Sequence, residues 1–224
     1  QHEVSPGWTL ALGLQHLKTS RHLTDLFIAN TGSDTASESF DLRFEGSAPR
    51  IGLRWQATPA VQWFANLSGS YEPPSFGELS GGLRPVLNRA QRGNTAEIGT
   101  RGAGGGINWD VALYHARLKD ELLQVGTNMA NAPITVNAPR TRHSGLEAGA
   151  DGAFAKTDHG QVQWRSALTW QHFRLDGDPN FGNNRLPGLP SVAARVEAAY
   201  RFGAASWAPG LAASISSLPR SITS

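Results

Sequence analysis

The sequence predicts an all-β fold, an antiparallel β-barrel that crosses a membrane with its strands. Three observations predict it: strict two-residue alternation of apolar and polar side chains, alternating stretches long enough to cross a bilayer, and connections that switch between short and long. Composition agrees. Only 39% of residues are hydrophobic and the mean hydropathy is −0.33, so the chain lacks the run of about eighteen apolar residues that a membrane helix requires. Glycine (25) and tryptophan (7) are abundant while charged residues make up 17%, a balance that suits a sheet with two differently solvated faces better than a helix-rich enzyme. Without cysteine, disulfides, zinc-thiolate sites and thiol nucleophiles are excluded. The net charge is +2, and the basic residues are dispersed along the chain. Nucleic-acid binding calls for a clustered basic stripe, so no nucleic-acid partner is expected.

The elements follow in order. Trp8, Leu10, Leu12 and Leu14 open the pattern, and Ile51, Leu53 and Trp55 continue it. From Val61 to Tyr71 the odd positions carry Val61, Trp63, Ala65 and Leu67 against Gln62, Asn66, Ser68 and Ser70. Ile107, Trp109, Val111 and Leu113 oppose Asn108 and Asp110, and Leu146, Ala148 and Ala150 oppose Glu147 and Asp151. Val162, Trp164, Leu168 and Trp170 alternate with Gln161, Gln163, Arg165 and Thr169. Last, Val192, Ala194, Val196, Ala198, Tyr200 and Phe202 oppose Ser191, Arg195, Glu197 and Arg201. About nine or ten strands result, several longer than the five or six residues usual in soluble sheets and near the 9 to 11 that a tilted crossing needs. Aromatics gather near strand ends, at Trp8, Trp55, Tyr71, Trp109, Trp170, Phe173, Tyr200 and Phe202, as interfacial girdles do.

Thr58-Pro59, Gly102 to Gly106 and Ala155 to Gly160 read as short turns. Lys18 to Ser47, Glu72 to Gln91, Gly126 to Pro139 and Arg174 to Gly188 read as long loops. Short turns on one side and long loops on the other are the wiring of outer-membrane barrels. In such a barrel Arg54, Glu97, Arg101, Asp110, Glu147, Arg165, Arg195 and Glu197, all on the polar face of their strands, point into the lumen. Turning an Arg or Lys toward hydrocarbon costs about 2 to 4 kcal/mol at the midplane, which accounts for the segregation without a further role. A water-soluble antiparallel sandwich also shows period two, and its Trp-rich face could bind carbohydrate.

Chemistry-bearing motifs are sparse. His16, His22, His115, His143, His159 and His172 show no metal-ligand spacing, so no metal site or cofactor is expected. Ser, His and Asp occur without a Gly-x-Ser-x-Gly elbow, and no enzymatic activity is expected. The glycines at 102 and 104–106 lack a following Gly-Lys-Ser/Thr and read as a turn, not a phosphate cradle.

A set of ordered blocks adds a resemblance. Pro49-Arg50-Ile51-Gly52-Leu53 with Thr58-Pro59 is followed by Trp63-Phe64-Ala65-Asn66-Leu67-Ser68 and Tyr71-Glu72-Pro73-Pro74-Ser75-Phe76-Gly77-Glu78-Leu79. Then come Glu97-Ile98-Gly99-Thr100-Arg101, Leu113-Tyr114 through Asp120-Glu121-Leu122-Leu123, Asn137-Ala138 with Thr141-Arg142-His143-Ser144-Gly145-Leu146-Glu147, and Leu186-Pro187-Gly188-Leu189-Pro190. Together they resemble the later strands of TonB-dependent outer-membrane receptors of the siderophore type. The resemblance implies a Gram-negative outer-membrane location, contact with membrane lipid, and a partial barrel drawn from 22 strands, the large plugged class, with the plug absent from this sequence. It implies TonB-driven uptake of a ferric siderophore or similar metal chelate, with TonB contacted through a region outside this sequence. Residues 1–203 are assigned to the barrel. Residues 204–224 read as an atypical or truncated tail lacking a closing strand with a terminal aromatic. Gln1 follows neither methionine nor a signal peptide, and an internal segment is expected. Tyr71 at the strand end and Phe76 and Arg84 in the loop from Glu72 to Gln91 are the candidate ligand contacts, their aromatic and cationic groups suiting an anionic, partly aromatic chelate. Iron, nickel and copper chelates, cobalamin and oligosaccharides all stay open as cargo, and a receptor fragment without a function of its own is the remaining alternative.

Overall fold

A computed structural model of the chain describes residues 2–26, 39–80, 85–127, 131, 133–157, 159–202 and 210–217, with backbone only at 155, 156 and 210–217. Its strands are β1 (His2–Ser5), β2 (Trp8–Leu23), β3 (Phe40–Thr58), β4 (Val61–Glu72), β5 (Gln91–Gly104), β6 (Ile107–Thr127), β7 (Pro133–Thr157), β8 (Gly160–Leu175), β9 (Val192–Phe202) and β10 (Gly210–Ser217). One short helix, α1 (Phe76–Ser80), sits in the loop after β4. The strands form a single ten-stranded antiparallel sheet in sequence order, each paired with its chain neighbours. The expected all-β antiparallel architecture is present, and no second sheet covers either face among the described residues.

The register explains why alternation was legible. One cross-strand row runs Leu10, Leu53, Ala65, Ile98, Leu113, Leu146, Trp170 and Val192 across β2 to β9. The row two residues nearer the short turns runs Trp8, Trp55, Trp63, Thr100, Val111, Ala148, Leu168 and Ala194. Trp8 stacks on Trp55 at 5.4 Å between ring centroids. Leu12, Leu14, Trp63, Leu67, Ile98, Leu113 and Val196 on this face are exposed. A contiguous apolar face of this extent without protein cover is matched to hydrocarbon, not to water.

The opposite face is filled by side chains reaching over glycine. A Cβ on Gly99 would lie 2.3 Å from the Phe64 ring, and one on Gly145 would lie 2.4 Å from that of Tyr114. Each ring therefore covers a position that only glycine leaves open. The turn between β5 and β6 is Gly105-Gly106 with φ of 60° and 79°, the positive pair a two-residue hairpin turn requires.

Two features differ from expectation. The stretches read as loops from Lys18 to Ser47 and from Gly126 to Pro139 are paired strand at both their ends: β2 and β3 pair out to Leu23↔Phe40, and β6 and β7 out to Thr127↔Pro133. Past the bilayer both faces meet water or other loops, so backbone pairing persists while the apolar/polar alternation that marks a strand in sequence disappears. Within residues 204–224, Gly210–Ser217 forms β10, paired to β9 from Gly210↔Arg201 to Ser217↔Ala194.

Candidate ligand-capture site

At the end of the sheet bearing the long loops, β6, β7 and β8 project beyond the apolar rows and two loops fold onto them. Asp120 adopts φ 54°, which interrupts alternation in β6 and brings Glu121 to the side occupied by Thr141 and His143 on β7. The Thr141 hydroxyl, 1% exposed, donates to the Glu121 carboxylate, and His143 Nε2 lies 3.1 Å from the same oxygen. The His143 ring stacks on Phe173 at 4.0 Å and 9°, and Tyr114 meets Phe173 edge-on at 6.5 Å. A carboxylate this enclosed is tolerated because two groups hydrogen-bond to it.

The segment after β8 closes over this floor. Leu186 N donates to Phe173 O at 3.0 Å, Leu175 N donates to Asn184 O at 2.9 Å, and Gln171 Nε2 donates to Pro190 O at 2.8 Å. The Asp178 carboxylate accepts from the backbone N–H of Asn180 and Phe181, fixing a tight turn, and Leu186 packs into a small core with Ala138 and Leu175. Between this segment and β6–β7 lies a cavity of about 880 Å³. Leu123, Val136, Phe173 and Phe181 supply apolar wall, and Glu121, His143, Asn137 and Arg185 supply polar groups. A volume in the small-molecule range, mostly apolar with a few converging polar groups, is the usual form of a ligand pocket.

The described parts of the loop between β4 and β5, residues 73–80 and 85–90, are docked. Ser75 and Glu78 form a reciprocal cap at the start of α1: Ser75 N donates to the Glu78 carboxylate at 2.6 Å and Glu78 N to the Ser75 hydroxyl at 3.4 Å. Leu79 is fully buried. Asn88 Nδ2 bridges Glu78 O and Thr135 O, each at 2.8 Å. Asn137 accepts from Arg89 N at 2.7 Å and donates to Arg89 O at 2.9 Å and Asp120 O at 2.7 Å, while the Arg89 guanidinium pairs with Asp120 at 2.5 Å.

Of the candidates read from sequence, Tyr71 covers Gly46, where a Cβ would fall 2.3 Å from its ring, and carries the Arg92 guanidinium at 5.2 Å. Phe76 packs against Phe40 at 5.9 Å and remains 43% exposed. Arg84 lies outside the described residues. The register places Arg54, Glu97, Arg101, Asp110, Glu147, Arg165, Arg195 and Glu197 on the face opposite the apolar rows. There Arg54 donates to the Thr9 hydroxyl (3.0 Å), Asn66 to Glu97 (2.8 Å) and Arg101 Nε to Gln62 (2.7 Å), and Arg195 pairs with Glu197. Among the described residues no three His, Asp or Glu side chains converge as a metal site would need. Sequence reasoning missed Glu121, Thr141 and Phe173 as a unit, because the backbone reversal at Asp120 has no periodic signature.

A family model for the TonB-dependent receptor-like β-barrel matches residues 1–219. The chain belongs to this family. Its sheet is therefore part of an outer-membrane receptor barrel of a Gram-negative bacterium, and the apolar rows face lipid. The metal-pseudopaline receptor CntO of Pseudomonas aeruginosa is 24% identical over 204 residues, covering 90% of this chain and 27% of the relative. The chain thus spans about a quarter of that receptor's length. Among solved structures, the copper transporter OprC superposes with a TM-score of 0.68 at 14% identity, over 92% of this chain and 32% of that one. The ferric yersiniabactin uptake receptor FyuA of Yersinia pestis superposes with a TM-score of 0.67 at 18% identity, over 93% and 31%. At these identities the structural matches establish the fold of the receptor barrel and nothing about its cargo.

Proposed function

We propose that this chain forms wall and outer vestibule of a receptor that takes up a metal chelate, such as a ferric siderophore, across the outer membrane with energy delivered through TonB. The observation that carries the reading is the cavity of about 880 Å³ at the loop end, floored by the Phe173–His143 stack and framed by two segments hydrogen-bonded in place. A preordered pocket loses less entropy on capture than a mobile loop does. The relative named as a metal-pseudopaline receptor, 24% identical over 204 residues, supports a metal chelate as cargo. The barrel performs no covalent chemistry in this reading. Its polar face, from Arg54 to Glu197, lines the interior and keeps those charges from hydrocarbon. Tyr71, Phe76 and Arg84 contribute to capture in this reading.

The experiment is chelate uptake and binding by the complete receptor in cells with and without TonB. Phe173→Ala is expected to weaken binding about tenfold, the loss of about 1.4 kcal/mol of aromatic contact, and Tyr71→Ala/Phe76→Ala/Arg84→Ala to weaken it less. Unchanged affinity in Phe173→Ala would remove the cavity from the reading, and unchanged affinity in the triple variant would remove those three residues from it. Uptake that persists without TonB would refute the energised mechanism.

A further inference from the structure

Beyond Lys119 the β6 strand loses its neighbour on one side. The β5–β6 ladder ends at Arg92↔Lys119, while the β6–β7 ladder runs on to Thr127↔Pro133. Side chains take over where the ladder stops. Leu122 N donates to Gln91 Oε1 at 3.0 Å, and the Asp120 carbonyl accepts from Asn137 Nδ2 at 2.7 Å. Asn137 also holds the backbone of Arg89 on both sides, accepting from its N–H and donating to its carbonyl. The Arg89 guanidinium then reaches back to Asp120 Oδ1, through Nε at 3.0 Å and Nη2 at 2.5 Å. Arg89, Asp120 and Asn137 thus close a ring of hydrogen bonds between the β4–β5 loop and the β6–β7 hairpin.

That ring surrounds a strained backbone. Asp120, with φ 54°, is one of two non-glycine residues with positive φ among those described. A residue with a Cβ is costly in this region, Asp less so than most, and the conformation persists where its surroundings over-determine it. What the strain achieves is the direction of the next side chain. Along an extended strand, residues two apart share a face, so an extended Asp120 would put Glu121 on the side of Lys119. The left-handed residue puts it with Thr141 and His143 instead, where it accepts from the Thr141 hydroxyl and lies 3.1 Å from His143 Nε2. Glu121, Leu123, His143 and Phe173 are all walls of the cavity, whereas no described residue from 73 to 90 lines it.

We propose that Arg89 is a positioning residue: it holds Asp120 left-handed from a loop outside the cavity, and so sets the wall on which Glu121 and His143 meet. The consequence for cargo rests on the capture role proposed for the cavity. The consequence for the wall does not. With 70% of its side chain exposed, Arg89 contributes little through its ion pair alone. Its leverage lies in the backbone it biases, since a residue able to point Glu121 to either side turns a small bias into a several-fold change of population.

The test reads the cavity without cargo. The complete receptor is labelled with ¹³C in its histidine rings and held in detergent at one fixed pH, and the His143 signal is identified by its loss in His143→Gln. Stacked on Phe173 at 4.0 Å and bonded to Glu121, this ring is expected to resonate apart from the exposed histidines. Arg89→Gln should move the signal roughly halfway or further toward theirs. Arg89→Lys, which keeps the charge beside Asp120, should move it less. Asp120→Gly enters the left-handed region without steric cost, so Arg89→Gln/Asp120→Gly should restore the wild-type signal. In that double variant hydrogen exchange across 85–92 should stay as fast as in Arg89→Gln, because the loop has not regained its ion pair. A wild-type His143 signal in Arg89→Gln would overturn the proposal. So would a displaced signal that Asp120→Gly leaves displaced, since the loop would then act on the wall by another route. Should Arg89→Gln fail to assemble, Asp120→Asn, which weakens the same pair from the other side and still tolerates the left-handed region, should displace the signal in the same direction, and a wild-type signal there would be equally fatal. None of these readings involves a chelate, so they stand or fall separately from the loss of binding expected in Phe173→Ala.

Discussion

Asn137→Ala should release the loop between β4 and β5 without disturbing the barrel wall. The Asn137 side chain makes three hydrogen bonds, accepting from Arg89 N at 2.7 Å and donating to Arg89 O at 2.9 Å and to Asp120 O at 2.7 Å. The two to Arg89 hold the loop, each contributing about 0.5 to 1.5 kcal/mol net, so their loss amounts to about 2 kcal/mol of docking energy. At 1.4 kcal/mol per factor of ten, the docked loop should open about thirtyfold more often. Hydrogen exchange followed by mass spectrometry on the complete receptor reads this directly. Peptides covering 85–92 should exchange faster by that factor, while peptides within 146–152, in the paired wall, should be unaffected. Asn88→Ala, which cuts the bridge from Glu78 O to Thr135 O, should act in the same direction and more weakly. Exchange of 85–92 within about twofold of wild type in Asn137→Ala would refute the view that this amide holds the loop.

Further outcomes follow from the two faces of the sheet. Leu168→Arg, in the row facing lipid, should cost about 2 to 4 kcal/mol and lower the amount of receptor assembled in the outer membrane. Thr169→Arg, one residue on and opposite Glu147, should not. Gly99→Ala drives a Cβ into the Phe64 ring and should destabilise by about 1 to 3 kcal/mol, less so when Phe64→Leu is present, as measured by denaturant midpoints. Asp176, its carboxyl depressed chiefly by the Arg142 hydrogen bond, contributes stability that is present above the ordinary carboxylate range and is lost as pH falls through its lower folded-state value. Exchange at 176–178 should therefore accelerate only in acid, and Arg142→Gln should lessen that acid dependence, with Arg140 and Arg117 sustaining the remainder.

How much of this was legible depended on what each stretch of chain faces. Where hydrocarbon meets one side, every second residue is constrained, and Trp63, Leu67, Ile98, Leu113 and Val196 announce their strands. Past the membrane edge that constraint ends, so the outer reaches of β2, β3, β6 and β7 looked like loop although their backbones still pair. The vestibule was less legible still. Tyr71 stands out by residue type, yet its ring is committed to Gly46 and Arg92. The Glu121–Thr141–His143 cluster depends on a left-handed residue at Asp120 and on register between residues about twenty positions apart. Register follows from pairing partners, which no single stretch of sequence encodes.

The strictly consecutive strand order has a consequence for biogenesis. Because every strand finds its partner in the hairpin just before or after it, no segment must wait for a distant one, and the wall can be added to the membrane one hairpin at a time. A defect that misplaces one turn, such as loss of Gly105-Gly106, would then stall insertion at that hairpin and leave the strands already laid down intact.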